Sequence, residues 1–168
     1  MTERPQELLA DIIAAHGGNL VGRIRLQKVV YILDQLGLRS GFEYSYHHYG
    51  PYSAEVSAAL MDAQAENLIV DEPKFRLSDG ASYSVFHTAR DVEGAVGDLA
   101  QDAAGKILDR LKRETATVLE LAATIHWLKD VECINDWSTE LRERKGSKTE
   151  CGRQDKAVQL LTEIGLFS

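Results

Sequence analysis

The sequence predicts a mainly α fold with a small β-hairpin, an α+β chain forming one compact domain over its 168 residues. Three observations carry this. Apolar residues recur at helical spacing in one stretch after another. Two short segments, residues 68–75 and 82–86, read as strands joined by the turn sequence Ser78-Asp-Gly80. Their order is helix, helix, helix, hairpin, then more helices. That order predicts a winged-helix-like N-terminal half over residues 1–87 and a C-terminal helical bundle, residues 88–168, packed on it as an extension.

Each element has a local reason. Pro5 suits the first turn of a helix, where its missing N–H costs nothing, and Leu8, Leu9, Ile12 and Ile13 supply one apolar stripe. Gly17-Gly18 ends it, because glycine takes a left-handed cap without strain. A second helix is expected over residues 21–36, with Leu26, Val29, Val30 and Leu33 facing one way and Gly37 as its stop. Arg23, Arg25, Gln27 and Lys28 fall largely on its other faces, which composition alone reads as solvated. Phe42, Tyr44, Tyr46 and His48 alternate with Glu43, Ser45 and His47, a strand signal broken by Gly50-Pro51. Ser53 or Pro51 then starts a third helix, with Glu55 in its first turn and a thin stripe of Val56, Ala59, Leu60 and Ala63.

Further along, Thr88-Ala-Arg-Asp91 has capping-box spacing and predicts one long helix to Arg113. Thr117-Val-Leu-Glu120 reads as a second capping box, opening a helix with Val118, Leu121, Ala122, Ile125 and Leu128 on its apolar side. Ile134, Trp137 and Leu141 suggest a short helix started by Asn135 or Asp136. A basic segment over residues 142–153 follows, and Ala157, Val158, Leu160, Leu161 and Ile164 form a last helix stopped by Gly165.

The formal net charge of −7 argues against general binding to phosphate backbones, which needs clustered Lys and Arg. Cys133 and Cys151 read as two reduced thiols, since two isolated cysteines make neither a disulfide framework nor a metal site. The polar start Met1-Thr-Glu-Arg-Pro5 has no signal-peptide pattern, and no apolar run approaches the roughly 20 residues that span a bilayer. A cytoplasmic protein without membrane contact is expected.

No reaction is legible. His47 and His48 are adjacent, so on a strand they point to opposite faces and cannot share one metal ion. Gly17-Gly18 follows a helix instead of a strand, the wrong order for a nucleotide loop, and no Gly-x-Ser-x-Gly elbow is present. The expectation is a protein that is not an enzyme and holds no metal or cofactor. The third helix, residues 53–66, has no Lys or Arg and carries Glu55, Asp62 and Glu66. It would repel the phosphates that a winged helix's recognition helix normally meets, so DNA reading by it is disfavoured. Residues 23–28 and 142–153 remain as a basic alternative for a nucleic-acid-associated regulator.

Leu26-Gln-Lys-Val-Val-Tyr-Ile-Leu33, followed by Tyr46-x-x-Tyr-Gly-Pro-Tyr-Ser53, resembles the YwgA-like proteins. It is also similar to the Panacea (SocA-like antitoxin) domains and to the C-terminal toxin-binding domain of DarG antitoxins. A Leu-x-Lys-x-x-Tyr helix and a Gly-Pro helix start are their signature pair. The likeness covers about residues 21–70 closely and residues 117–165 only in general layout. It implies a winged-helix-like domain that binds and masks a protein partner, a toxin or defence protein, with mimicry of nucleic acid as one way of doing so. On that implication Leu26, Gln27, Gly50 and Pro51 are structural. Lys28, Tyr31, Tyr46, His48, Tyr49, Tyr52 and Glu55 are the candidates for an aromatic and polar ledge toward the partner, with core and rim packing as the other reading of the tyrosines, Tyr31 above all.

Overall fold

A computed structural model describes residues 3–168; the first two residues of the expected domain lie outside the described residues. The chain is mainly α with small β elements. In order it forms α1 (Pro5–Ala15), β1 (Asn19–Val21), α2 (Arg23–Gln35), β2 (Ser45–His47), β3 (Gly50–Tyr52), α3 (Ala54–Ala65), β4 (Val70–Phe75) and β5 (Ser82–His87). Then come β6 (Ala95–Val96), β7 (Leu99–Ala100), α4 (Gln101–Lys112), α5 (Ala116–His126), α6 (Trp137–Lys145) and α7 (Arg153–Glu163). No helix among the described residues is long and apolar enough to cross a membrane.

α2 and α5 are the central pair. All of residues 26–33 in α2 and 118–126 in α5 are buried, although several are polar. α5 lies between α2, α6, α7 and strand β3, so no face of it meets solvent over that span. One continuous core follows, from Leu8 and Leu9 through Val29 and Val30 to Leu119, Leu160 and Leu161. Each fully buried Leu, Ile or Val there contributes about 1.5–3 kcal/mol relative to exposure. The stripes read in α1 and α3 are buried as expected, with Val56, Ala59, Leu60 and Ala63 all inward.

β1 pairs with β5, and β5 with β4, giving a three-stranded antiparallel sheet in the order β1-β5-β4. At three residues, β1 is too short to show alternation, which is why the sequence does not announce it. β2 and β3 form a separate hairpin with Tyr46 opposite Pro51 and His47 opposite Gly50.

Three expectations need correction. Residues 88–100 do not begin a long helix: Thr88 instead donates from Oγ1 to the Leu68 carbonyl at 2.8 Å, and the β6–β7 hairpin intervenes before α4. Gly94 and Gly97 have φ of 79° and 55°, and a Cβ at Gly97 would lie 2.7 Å from the Leu38 carbonyl oxygen, so a close approach replaces the helical path. α5 starts two residues early, because Thr115 Oγ1 accepts from the Val118 N–H at 3.2 Å, and Glu120 is buried instead of capping. Gly50-Pro51 does not break the strand but forms its return arm, with the turn at His48 and Tyr49.

Two other helix starts, those of α3 and α6, follow side-chain caps. Ser53 Oγ accepts from the Val56 N–H at 3.3 Å, and Asp136 Oδ1 accepts from the Thr139 N–H at 3.3 Å. Residues 142–153 are ordered as the end of α6, a 3₁₀ turn at Gly146–Thr149, and the start of α7.

Candidate functional site

The two signature segments meet at the β2–β3 hairpin, and most of their polar groups are spent holding it. Gln27 lies at 5% exposure because its amide closes a two-bond ring on Ser53: Nε2 donates to the Ser53 carbonyl and Oε1 accepts from the Ser53 N–H, both at 2.9 Å. That ring fixes the residue that caps α3. Lys28 is 1% exposed, and its Nζ donates to the Pro51 carbonyl at 2.6 Å. Gly50, at φ 92°, passes so close to α5 that a Cβ would sit 2.5 Å from Thr124 Oγ1. Only glycine combines that φ with that contact.

Tyr31 is also buried. Its hydroxyl is 2.7 Å from His126 Nδ1, and its ring packs edge-on against Tyr44, whose hydroxyl donates to Asp34 at 2.6 Å. Burial raises both tyrosines well above the ordinary phenol pKa, so they stay neutral. Burial likewise lowers His126 below its usual range, with Asp130 opposing and Lys129 adding to the shift.

Beneath the hairpin lies a buried ionic cluster. Glu120 is 3.2 Å from Lys145 Nζ and 3.0 Å from Lys148 Nζ, and Lys145 also donates to the His48 carbonyl at 3.1 Å. Burial pushes the Lys28 ammonium down to about 8; Glu120 raises it, while Lys145 and Lys148 lower it further. Burial also lowers Lys145. Three lysines and one carboxylate leave this region with an excess of two positive charges when all are ionised.

The surface above is aromatic. Tyr49 is 45% exposed, with Lys148 Nζ 4.9 Å from its ring centre, and His48 is set edge-on to it at 4.9 Å. Tyr46 is half-buried under Arg144 at 4.7 Å. Tyr52 stacks on His47 at 4.5 Å, and its hydroxyl is 2.8 Å from Ser57 Oγ. Behind Tyr49 and Tyr52 is a cavity of about 270 Å³ between the hairpin, α2 and α3, walled by Ile24, Leu26, Val56 and Leu60. Its size is near the lower end for small-molecule sites and suits one inserted side chain.

The expected ledge is therefore divided by the fold. His48 and Tyr49 are exposed, Tyr46 and Tyr52 are half-buried, and Glu55 is exposed with its carboxylate accepting from the Glu43 N–H at 2.7 Å. Lys28 and Tyr31 face inward, because α5 covers the side of α2 on which they lie. Sequence reading missed Glu120, Thr124, His126 and Lys145, the α5 and α6 groups that receive the hairpin. The α5 groups signalled only by polarity inside an apolar helical stretch, and Lys145 was one basic residue among several in a polar segment.

The basic alternative is largely consumed within the molecule. Arg144 makes two bonds to Glu132, at 2.8 and 2.9 Å, and one to Glu140 at 2.7 Å. Arg153 donates to the carbonyls of Lys148 and Ser147, each at 2.7 Å, and Arg25 donates to the Glu114 carbonyl at 2.8 Å. Among the described residues, no group of three or more His, Cys, Asp or Glu is placed to hold a metal.

No family model matches the chain. It is similar to the uncharacterised protein YwgA of Bacillus subtilis, at 22% identity over 161 residues, which covers 90% of this chain and 92% of that protein.

Proposed function

We propose that the chain is a non-catalytic protein-binding module that docks a partner on the tip of the β2–β3 hairpin and the cavity behind it. One observation carries the reading: Tyr49 stands half-exposed at the mouth of an apolar cavity, on a hairpin braced from below by Gln27, Lys28 and Lys145. A pre-organised aromatic beside a hollow for one side chain is the arrangement of an interface anchor, since little ordering entropy is lost on binding. The similarity to YwgA spans nearly the whole chain. That relative is uncharacterised and carries no role, so a toxin or defence protein as the partner and the cytoplasm as the place rest on the signature's likeness to Panacea and DarG toxin-binding domains alone.

Steric masking suits the geometry better than mimicry of nucleic acid. Of the acids in and just after α3, Glu55 is tied to the Glu43 N–H and Glu66 to Arg4 and Gln6. The order of α1, β1, α2, α3, β4 and β5 supports descent from a winged helix, with the hairpin inserted before its third helix. Affinity capture from the native host tests the function. A stoichiometric protein held by the wild type, and lost with Tyr49→Ala plus Tyr52→Ala at unchanged thermal stability, supports it. Salt-sensitive recovery of DNA or RNA without any protein refutes it.

A further inference from the structure

The apolar cavity is not isolated. Arg23 and Ile24 line both it and a shallow open groove of about 880 Å³ along the sheet edge, where Val21, Tyr83, Arg25 and Arg76 also lie. Arg23, Arg25, Lys28 and Arg76 line the cavity and groove and no Asp or Glu does, although Lys28 is enclosed against the Pro51 carbonyl and two acids stand beside the groove: Asp71, which meets Arg23 and Ser84, and Asp79, which meets Arg76. The chain as a whole carries −7, so this strip runs against its own balance. Lys145 and Lys148 around Glu120 lie under the hairpin and, with Lys28 already counted, leave one further positive charge there.

Not every cation is equally free. Arg25 is bound to the Glu114 carbonyl, and Arg76 pairs with Asp79 at 2.9 Å. Arg23 is the open one: its side chain is 59% exposed and only 3.5 Å from Asp71, a loose pair that a better-placed carboxylate would replace. Exposed Val21 and Tyr83 give the groove apolar footing on either side of it.

We infer that the occupant is an extended, acidic segment of the partner protein, with one large apolar or aromatic side chain in the cavity and carboxylates against Arg23 and the groove. This rests on the protein-binding reading above and names the chemistry of the segment that is bound. A phosphate backbone is a poorer occupant, because a run of phosphates needs several open cations and Arg23 is the one that is open, enough for a single carboxylate. The groove is lined by Ser82, Tyr83 and Ser84 at the start of β5, beyond the residues that β1 pairs, and an uncovered strand end of this kind suits a chain in extended conformation.

The test is selection from a random peptide library on the immobilised protein, followed by anisotropy of the recovered peptides after fluorescent labelling. Expected sequences carry one aromatic or large aliphatic residue with Asp or Glu within three positions. Replacing their acids by Lys, or the anchor by Ala, should weaken binding at least about tenfold. Arg23→Glu, at an exposed position, should lose the acidic peptides and gain the Lys-substituted ones; circular dichroism confirms that it folds. Recovered peptides without acid enrichment, affinities indifferent to Arg23→Glu, or displacement of the peptide by oligo(dT) overturns the inference. If Tyr49-dependent capture of a partner holds while the peptides carry no acids, the acidic occupant alone falls. If both fail, the binding reading falls with it.

Discussion

Replacing Lys28 by Met keeps the length and most of the volume of a buried side chain while removing its charge. In the wild type, burial lowers the ammonium from the 10.5 of a free lysine to about 8. At about 1.4 kcal/mol per pKa unit, the folded state disfavours the charged form by about 3 kcal/mol. Opposing this is the 2.6 Å bond to the Pro51 carbonyl, an acceptor whose isolation costs about 1–3 kcal/mol. The two nearly cancel, so Lys28→Met should change stability little at pH 7. The pH dependence is sharper. Between about pH 8 and 10.5 the unfolded lysine holds a proton that the folded one has lost, so wild-type stability rises with pH in that window. Lys28→Met lacks this gain. Urea titrations followed by the fluorescence of Trp127 and Trp137 should show wild type gaining about 2–3 kcal/mol over the variant between pH 7 and pH 10. A constant difference across that range would refute the claim that Lys28 is a buried cation. The tyrosines do not confuse the comparison, because Tyr31 and Tyr44 are present in both proteins.

Other outcomes follow from the same geometry. Gly50→Ala should cost about 1–3 kcal/mol from its φ of 92°, and more from the clash with Thr124 Oγ1; Thr124→Ala should return only the steric part in thermal melts. Gln27→Ala strands the Ser53 N–H in the core, while the carbonyl keeps the Ser57 N–H at 3.4 Å, and should cost about 1–3 kcal/mol in chemical denaturation. His16 and His126 are held below 6.5 by burial and must release protons to fold, so stability should fall as the pH drops below about 6.5; His126→Phe should flatten part of that slope. Tyr49→Ala removes an exposed ring and its contacts with Lys148 and His48, so its stability should stay within about 1 kcal/mol of wild type while partner capture is lost.

The hairpin shows why the sequence was readable only in part. Gly50, Pro51 and Ser53 announce a turn and a helix start because their backbone preferences are local properties of those residues. Gln27 and Lys28 announce nothing reliable. Polar side chains on the second face of an amphipathic helix read as solvated until another helix is known to cover them. Glu120 misled for the same reason: its spacing from Thr117 is that of a capping box, yet it sits inside the molecule under two lysines. The expected long helix from Thr88 failed on a non-local contact, the approach of Gly97 to Leu38.

By itself the sequence determined the mainly α class, the positions of α1, α2, α3 and α7, the two long strands, and the acidity of α3. All of these depend on periodicity, caps and charge within a few residues along the chain. Only the tertiary structure decided that α5 would roof the second face of α2 and turn Lys28 and Tyr31 inward. It alone brought Lys145 and Lys148 under a hairpin some hundred residues away in sequence, and set the cavity beside a groove that shares Arg23 and Ile24 with it. Which face of a helix becomes interior is a property of what packs against it, and no local pattern carries that information.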